Sequence, residues 1–318
     1  MPSTISEEHL VALHGKVILI TGGNTGIGYA TIQILTRRGA KVYMATRSES
    51  RAAEAIQRLK AENLGDGSVH WLELDLSDPR SAARAAQEFL QKEQRLDILI
   101  NNAASAVGPY KLTSDGLWDI MVINHISHFV LTEALLPLMK RTATEPGADV
   151  RIVGVTSKAH AFVAPESFAT KEALNKSFGD STRGIFKTYG YTKLANMLHI
   201  KALQKRFDAE GARITCIGVH PGATKTPGAQ GLFRGIPVIG PFMATVIAPL
   251  FFGSWYQGGI TVAFAAAGAE VVGPQHERYK GAYFTPKGIE TPSKSALDSR
   301  LQEELYETTE KVARELRL

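Results

Sequence analysis

The chain has 318 residues, enough for one large α/β domain or two small ones, and its 44% apolar and 21% charged residues are typical of a soluble globular protein. The net charge of +5 is spread without a lysine or arginine run, which argues against a nucleic-acid partner. The one cysteine, Cys216, cannot form an internal disulfide, and the N-terminal segment lacks the features of a secretory signal. These properties favour a reducing, cytoplasmic setting.

Short β-branched runs alternate with longer helical patterns along the chain. Helices are expected at 26–38, after the second and third strands, and around 114–141. Several strands are continuous apolar runs, as expected where both faces of a sheet are covered. The alternation predicts a single domain, residues 1–318, built on a doubly wound parallel sheet with helices on both faces. About seven strands are expected, at 16–21, 40–46, 69–75, 96–103, 150–157, 211–222 and 281–286.

The segment ITGGNTGIGYA (20–30) joins the first strand to the first helix. Glycine allows a tight turn and the close approach of a pyrophosphate, and a helix N-terminus offers free N–H groups with partial positive charge. This position predicts a Rossmann-type dinucleotide site, and the alternative is a tight turn without a ligand. The expected cofactor contacts are Gly22, Asn24, Thr25, Gly26, Ile27 and Gly28.

The end of the second strand, MATRSES, bears on the choice of cofactor. Many NAD sites place an acid there to hold the ribose 2′-hydroxyl, whereas this chain has Arg47. A guanidinium suits a 2′-phosphate through charge-assisted hydrogen bonds, so NADP(H) is predicted over NAD(H). The alternative is a solvated surface arginine.

Further motifs follow in an order that resembles the short-chain dehydrogenase/reductase family, from about residue 15 to 285. TGGNTGIG resembles the family's TGxxxGxG loop, Asp75-Leu76 its adenine-contacting pair, and NNAA (101–104) its NNAG strand end, with Ala104 replacing the glycine. VINHISHF (122–129) is similar to the VNHLGHF segment of the branch that contains retinol dehydrogenases and the WW-domain oxidoreductase. IVGVTSKAH, YGYTK and HPGATKT resemble IVxVSSxAH, YxxxK and PGxxxT.

The resemblance implies an oxidoreductase whose catalytic residues are Asn124, Ser157, Tyr189 and Lys193. Tyr189 would exchange a proton, Ser157 would orient the carbonyl oxygen, and Asn124 would complete a water-linked proton path. Lys193 would also hold the nicotinamide ribose. The resemblance further implies cofactor contacts from Asp75, Leu76, Asn102, Ala103, Tyr189, Lys193, Pro221, Gly222, Thr224 and Thr226.

The residue spacing supports pairing Tyr189, and not Tyr191, with Lys193. Residues four apart share a helix face, and a nearby ammonium is expected to lower the pKa of a phenol from its usual value of about 10. Tyr191 has Ala195 four residues on and lies about 200° further round the helix. It is therefore expected to point away from the chemistry, toward the sheet or the preceding loop.

Two regions are expected to shape the substrate site. The first separates Ser157 from Tyr189 by 32 positions and would form one wall of the substrate mouth, or else a surface excursion. The second has no Asp, Glu, Lys or Arg from 235 to 269, but its prolines and glycines exclude a continuous transmembrane span. It predicts an apolar lid at about 227–256 followed by a packed helix. Peripheral membrane contact or a subunit contact is the competing interpretation.

The remaining features leave alternatives open. The C-terminal segment SALDSRLQEELYETTEKVARELRL is expected to form an amphipathic helix that packs on the domain edge or on a partner, so a homodimer stays open. No metal site is expected, since the spacing of four histidines lacks partner ligands and indicates structural or loop roles. These histidines are His125, His128, His160 and His220.

The motifs together predict an NADPH-dependent carbonyl reductase, reversible as an alcohol dehydrogenase. The substrate would be an apolar small molecule, such as a terpenoid, steroid, retinoid or polyketide-like ketone, aldehyde or alcohol. A cofactor-binding regulator or scaffold on the same fold is one alternative. Enoyl reduction or epimerisation by the same Tyr-Lys pair is another.

Overall fold

The computed structural model describes residues 5–105, 110–179, 181–222 and 254–318, and its strands form one sheet. The strands are β1 Val17–Thr21, β2 Lys41–Thr46, β3 Ser68–Glu73, β4 Ile98–Asn101, β5 Val150–Val155, β6 Ile214–Val219, β7 Ala282–Thr285 and β8 Gly288–Glu290. Their order is β3-β2-β1-β4-β5-β6-β7-β8. All neighbouring strands are parallel except β7 and β8.

Helices cover both faces of this sheet. The helices are α1 Gly26–Arg37, α2 Glu49–Ala61, α3 Pro79–Lys92, α4 Asp119–Ala143, α5 Lys171–Leu174, α6 Thr182–Glu210, α7 Trp255–Ala267, α8 Ala269–Val272, α9 Lys294–Leu297 and α10 Ser299–Glu315. Buried side chains of α1, α2 and α7 form one apolar cluster, and those of α3, α4, α6 and α10 form the other. The predicted Rossmann-type, doubly wound α/β fold is confirmed.

The expected strands all appear, and one more is added. β1, β4, β5, β6 and β7 are buried along their whole length, which explains their continuous apolar sequence. The eighth strand, β8, has only three residues and runs antiparallel to β7 at the sheet edge. Such a short, partly exposed strand has no periodic signal of its own. The described strands belong to one sheet, while the single domain over residues 1–318 stays a prediction.

Helix α4 is long and apolar enough to satisfy a membrane-span criterion, but it is a core helix of this fold. Its qualifying window has a mean hydropathy of 1.3 and is 78% buried inside the protein. Residues Val122–Ile126 within it form a π-helical turn. Because π turns are rare and concentrate at functional sites, this local irregularity marks the part of α4 nearest the candidate site.

The C-terminal helix α10 packs on the domain's own edge. Its buried stripe includes Leu301, Leu305 and Val312, and it lies against α6. Glu304 on the same helix accepts hydrogen bonds from the Ser167 hydroxyl at 2.7 Å and from the Phe168 N–H at 2.8 Å. The sequence left open whether this amphipathic helix packs on its own domain or on a partner, and the structure shows contact with its own domain.

The expected apolar lid, about 227–256, lies almost wholly outside the described residues, as do Thr224 and Thr226. The packed helix expected after it is present as α7, in which every residue from Gly258 to Ala267 is buried. Cys216 on β6 is a free, fully buried thiol, and burial raises its pKa. It is therefore an apolar core residue and not a nucleophile.

Candidate active site

The candidate site lies at the carboxyl edge of the sheet, where the strand order reverses. The chain proceeds from β1 outward to β2 and β3, then returns to place β4 on the other side of β1. Crevices at such a switch point bind ligands in open α/β sheets. Because the strands are parallel, the segments that follow β1, β4, β5 and β6 all meet at this edge.

The loop after β1 has backbone positions that only glycine fits. Gly22 has φ +69°, and a Cβ there would lie 2.8 Å from the Cβ of Ala103. A Cβ on Gly28 would meet the carbonyl oxygen of Gly22 and lie 2.7 Å from Asn102 Nδ2. Thr25 precedes α1 without a side-chain hydrogen bond to its first turn. The N–H groups of that turn are therefore available to a pyrophosphate, and the loop fits a dinucleotide.

The ends of β1 and β4 are joined by hydrogen bonds. Asn102 Nδ2 donates to the carbonyl oxygen of Thr21 at 2.8 Å and approaches that of Gly22 at 3.3 Å. The backbone N–H groups of Asn102 and Ala103 each donate to Thr21 Oγ1 at 3.0 Å. Asn102 and Ala103, expected as cofactor contacts, therefore lie beside the glycine loop and hold its shape.

The residues expected at the adenosine end lie at the ends of β2 and β3. Arg47 is exposed, and no hydrogen bond or ion pair of its guanidinium is found within the described part of the chain. Asp75 accepts hydrogen bonds from the N–H of Ser77 at 3.0 Å and from its hydroxyl at 2.7 Å. The Leu76 side chain is buried. An uncommitted guanidinium next to the loop fits a 2′-phosphate.

Ser157 and Tyr189 meet beside the end of β5. Ser157 begins a 3₁₀ turn, Lys158–Phe162, and its Oγ accepts from the Ala159 N–H at 3.2 Å. The Tyr189 phenol on α6 lies within hydrogen-bonding reach of the Ser157 side chain. Both residues are partly exposed.

Lys193 is buried one helical turn beyond Tyr189. Its Nζ lies 5.6 Å from the centroid of the Tyr189 ring and donates to the carbonyl oxygen of Val155 at 3.0 Å. The Thr156 hydroxyl donates to the Lys193 carbonyl oxygen at 2.7 Å, which fixes this turn of α6 against β5. Burial lowers the pKa of Lys193 to about 7, because desolvation disfavours the ammonium.

The sequence predicts a lowered pKa for Tyr189, and this prediction is wrong for the protein without a bound cofactor. Burial raises that pKa to about 12, and the hydrogen bond from Ser157 only partly opposes the rise. Spacing placed Lys193 beside the ring, but Lys193 Nζ donates to Val155. Desolvation therefore exceeds the influence of the amine, and Tyr189 holds its proton at neutral pH.

Asn124 lies in the π turn of α4 and is fully buried. Its Oδ1 accepts from the Ser105 N–H at 2.7 Å, and its Nδ2 donates to the Ser105 carbonyl oxygen at 2.8 Å. The same Nδ2 donates to Thr192 Oγ1 at 3.0 Å, and Thr192 Oγ1 donates to the Tyr189 carbonyl oxygen at 2.9 Å. The side chain of Asn124 therefore connects the segment after β4 to the turn that carries Tyr189.

Tyr191 points away from this cluster, as its spacing indicates. Its hydroxyl donates to the carbonyl oxygen of Ala173 at 2.7 Å, and its ring packs against Phe168 and Phe178. It is 2% exposed. Tyr191 therefore stabilises the loop that precedes α6, and Tyr189 is the phenol at the site.

The 158–179 segment leaves Ser157, runs over the domain surface and returns toward α6. On one side Lys171 Nζ donates to the Asp115 carbonyl oxygen at 2.9 Å, and Asn175 Nδ2 donates to that of Gly116 at 2.8 Å. On the other side Ser167 is held by Glu304 of α10. The segment is therefore fixed at both flanks and borders the site beside Ser157.

Pro221 and Gly222 follow β6 after His220, at the same edge, and Gly222 has φ +92°. His160 Nδ1 lies 2.6 Å from the Ser157 carbonyl oxygen, and its Nε2 accepts from the Ser293 N–H at 3.0 Å. Within the described ranges, no group of three or more histidine, cysteine, aspartate or glutamate residues could hold a metal ion. The structure thus brings the described candidate residues to one edge of the sheet.

Sequence reasoning missed several residues that hold the site together. His128 was included only as a structural or loop histidine, yet it bonds both Thr21 and Asn124. Ser105 and Thr192, the partners of the Asn124 side chain, were not singled out. The motif VINHISHF contains His128, so the signal was present, but its partner is 107 positions away.

Comparison with known proteins finds relatives that cover nearly the whole chain. A family model described as short chain dehydrogenase matches residues 16–180. A short-chain dehydrogenase/reductase of Armillaria gallica is 45% identical over 310 residues, covering 97% of this chain and 96% of that protein. Retinol dehydrogenase 14 of Mus musculus is 34% identical over 309 residues, covering 94% and 86%. The crystal structure of an uncharacterized protein from Mycobacterium paratuberculosis has a TM-score of 0.71 at 27% identity, covering 98% of both chains.

The fold and these matches define an oxidoreductase of the class that uses nicotinamide dinucleotides. More narrowly, the chain belongs to the short-chain dehydrogenase/reductase family and is similar to its retinol-dehydrogenase-like members.

Proposed function

We propose that this oxidoreductase is an NADPH-dependent carbonyl reductase, reversible as an alcohol dehydrogenase, that acts on an apolar small molecule. One observation carries the proposal. Ser157 and Tyr189 are partly exposed residues whose hydroxyls lie within hydrogen-bonding reach of each other, and the buried Lys193 lies beside the Tyr189 ring. Two neighbouring hydroxyl donors suit a carbonyl oxygen on which negative charge develops.

Tyr189 is the proton donor in the reductive direction. Its raised pKa, about 12, keeps the phenol protonated at neutral pH. An alkoxide is a stronger base than this phenolate, so it takes the Tyr189 proton once it forms. Ser157 donates its own hydrogen bond to the same oxygen and fixes the orientation of the carbonyl group. In the oxidative direction Tyr189, once deprotonated, accepts the hydroxyl proton of the alcohol, while Ser157 keeps its hydrogen bond to the same oxygen.

Lys193 and the glycine loop are proposed to bind the cofactor. Val155 accepts one of the three protons that a lysine ammonium can donate, which leaves donors for ribose hydroxyls. The loop between Gly22 and Gly28 would receive the pyrophosphate at the start of α1, and Arg47 the 2′-phosphate. When bound, the nicotinamide supplies or accepts the hydride. The chain supplies position, proton transfer and exclusion of water.

An apolar substrate is proposed from the uncharged sequence between 235 and 269. The first part of that run falls in the expected lid, about 227–256, and the last part is the buried helix α7. A cytoplasmic location is proposed from the composition. A peripheral membrane contact or a homodimer contact through the same segment competes with the lid. Flotation without detergent and size-exclusion chromatography separate these roles, because a wholly soluble, monomeric chain removes both competitors.

A screen of NADPH oxidation over apolar ketones and aldehydes tests the function. We expect wild-type protein to oxidise NADPH with at least one class, and Tyr189→Phe to bind NADPH without turning over. A protein that binds NADPH but reduces no carbonyl compound would favour the regulatory alternative. Reduction of a conjugated C=C bond in preference to a C=O bond would favour the enoyl alternative.

A further inference from the structure

His128 lies buried between the end of β1 and the π turn of α4. It is on α4, one helical turn after Asn124, and is 3% exposed. Its Nε2 lies 2.8 Å from Thr21 Oγ1, at the end of β1. Its Nδ1 lies 3.3 Å from the backbone carbonyl oxygen of Asn124, inside the π turn. One imidazole ring thus spans from the strand that precedes the glycine loop to the turn that holds Asn124.

The surrounding hydrogen bonds fix the protonation of this ring. Thr21 Oγ1 accepts from the N–H groups of Asn102 and Ala103, which occupies both of its lone pairs. The Thr21 hydroxyl proton must therefore be donated to His128 Nε2. Burial, with a smaller contribution from the charge of Lys193, lowers the pKa of His128 to about 3, so the ring is neutral. Its single proton is then on Nδ1 and is donated to Asn124.

The two contacts of the His128 ring hold different parts of the site. The Thr21 end determines how β1 meets Asn102 and Ala103, and so the shape of the loop proposed to receive the pyrophosphate. At the other end, His128 contacts the backbone of Asn124 in the π turn. The Asn124 side chain donates to Thr192 Oγ1, and Thr192 Oγ1 donates to the Tyr189 carbonyl oxygen. The cofactor loop and the proton donor therefore share one rigid contact.

We infer that His128 is a positioning residue with two separable functions, one through each ring nitrogen. Through Nε2 it holds the Thr21 hydroxyl and thereby the cofactor loop, and through Nδ1 it holds the Asn124 turn and thereby Tyr189. This inference rests on the proposed function, its catalytic half on carbonyl reduction and its cofactor half on the proposed cofactor site. If His128 only filled space in the core, replacing it by glutamine or by asparagine would change NADPH affinity and kcat in the same way.

Two amide substitutions separate the functions. In His128→Gln the amide reaches the place of Nε2, where its oxygen accepts from Thr21. In His128→Asn the amide reaches the place of Nδ1, where its nitrogen donates to the Asn124 carbonyl. NADPH dissociation constants from fluorescence titration, kcat, KM and the melting temperature are measured for both variants and for wild-type protein.

We expect His128→Gln to lower kcat by about tenfold or more, with a change in the NADPH dissociation constant of less than about threefold. We expect His128→Asn to raise that constant by about fivefold or more, with a smaller loss of kcat than in His128→Gln. Equal losses in both variants, in proportion to a fall in melting temperature, would overturn the inference.

The ring proton gives a second test that needs neither turnover nor a folded variant. Long-range ¹H–¹⁵N correlation spectra of the wild-type protein distinguish the two neutral tautomers. We expect His128 to carry its proton on Nδ1 throughout the neutral range. A proton on Nε2 would overturn the inference. If the wild-type protein lacks turnover but shows the Nδ1 tautomer and the expected cofactor affinities, the proposed function fails and the positioning of the cofactor loop stands.

Discussion

Lys193 Nζ lies 5.6 Å from the centre of the Tyr189 ring and donates to the backbone of Val155, two residues before Ser157. The lysine is thus anchored to β5, the strand that leads into the serine, and not to the phenol. Burial has lowered the pKa of this amine to about 7. This geometry yields a dependence of stability on pH that is unusual for a lysine.

The stability of the cofactor-free protein should rise with pH through the contribution of Lys193. Burial lowers the pKa of Lys193 from 10.5 to about 7, so between these values the unfolded chain binds more protons than the folded one. The free energy of unfolding then increases with pH, by at most about 1.4 kcal/mol per pH unit. Chemical denaturation of wild-type protein and Lys193→Met from pH 6 to 10 measures the difference. A difference that stays flat over this range would contradict the lowered pKa.

The two tyrosines of YGYTK should divide activity from stability. Tyr189→Phe removes the proton donor, so kcat should fall by about 10² to 10⁴-fold while the melting temperature changes little. Tyr191→Phe leaves the Ala173 carbonyl oxygen without its 2.7 Å partner, which should lower stability by about 1 to 3 kcal/mol. Turnover and denaturant midpoints of both variants test this division. Loss of turnover in Tyr191→Phe at full stability would contradict the assignment.

Arg47 should determine which dinucleotide is preferred. Arg47→Asp replaces the guanidinium by a carboxylate that repels a 2′-phosphate and can accept from a ribose hydroxyl. The NADPH-to-NADH affinity ratio should therefore fall by about 100-fold, roughly 2.7 kcal/mol. Fluorescence titration with each cofactor measures the ratio. Arg317→Asp, at another exposed arginine outside the expected cofactor contacts, is the matched control and should leave the ratio unchanged.

Gly28→Ala should weaken cofactor binding without unfolding the protein. The added methyl group would meet the Gly22 carbonyl oxygen and lie 2.7 Å from Asn102 Nδ2, so the loop must move. We expect the NADPH dissociation constant to rise by about tenfold or more. In the control Gly273→Ala, the new Cβ would be 3.5 Å from its nearest neighbour, the Ala269 carbonyl oxygen. Unchanged affinity in Gly28→Ala would exclude the loop from the cofactor site.

Local sequence patterns predicted the buried strands, the glycine loop and the pairing of Tyr189 with Lys193. The buried strands β1, β4, β5 and β6 appear as apolar runs, and a glycine loop between strand and helix indicates its own role. The four-residue spacing to Lys193 selected Tyr189 over Tyr191, and the hydrogen bond of Tyr191 to Ala173 shows why its hydroxyl is elsewhere.

The missed features depend on contacts between distant parts of the chain. The bond between His128 and Thr21 joins residues 107 positions apart, so no window of sequence contains it. The predicted direction of the Tyr189 pKa shift was wrong for a related reason. Spacing shows which charge lies beside the ring, but only the packed structure shows how much water the fold removes from the phenol.

The hydrogen bonds from Ser167 and Phe168 to Glu304 have a consequence for how the protein is made. Glu304 lies on α10, 137 positions after Ser167 in the sequence. A ribosome adds residues from the N-terminus, so Ser157, Tyr189 and Lys193 all leave the exit tunnel before α10 does. The border of the site beside Ser157 therefore gains this anchor only after α10 has been synthesised.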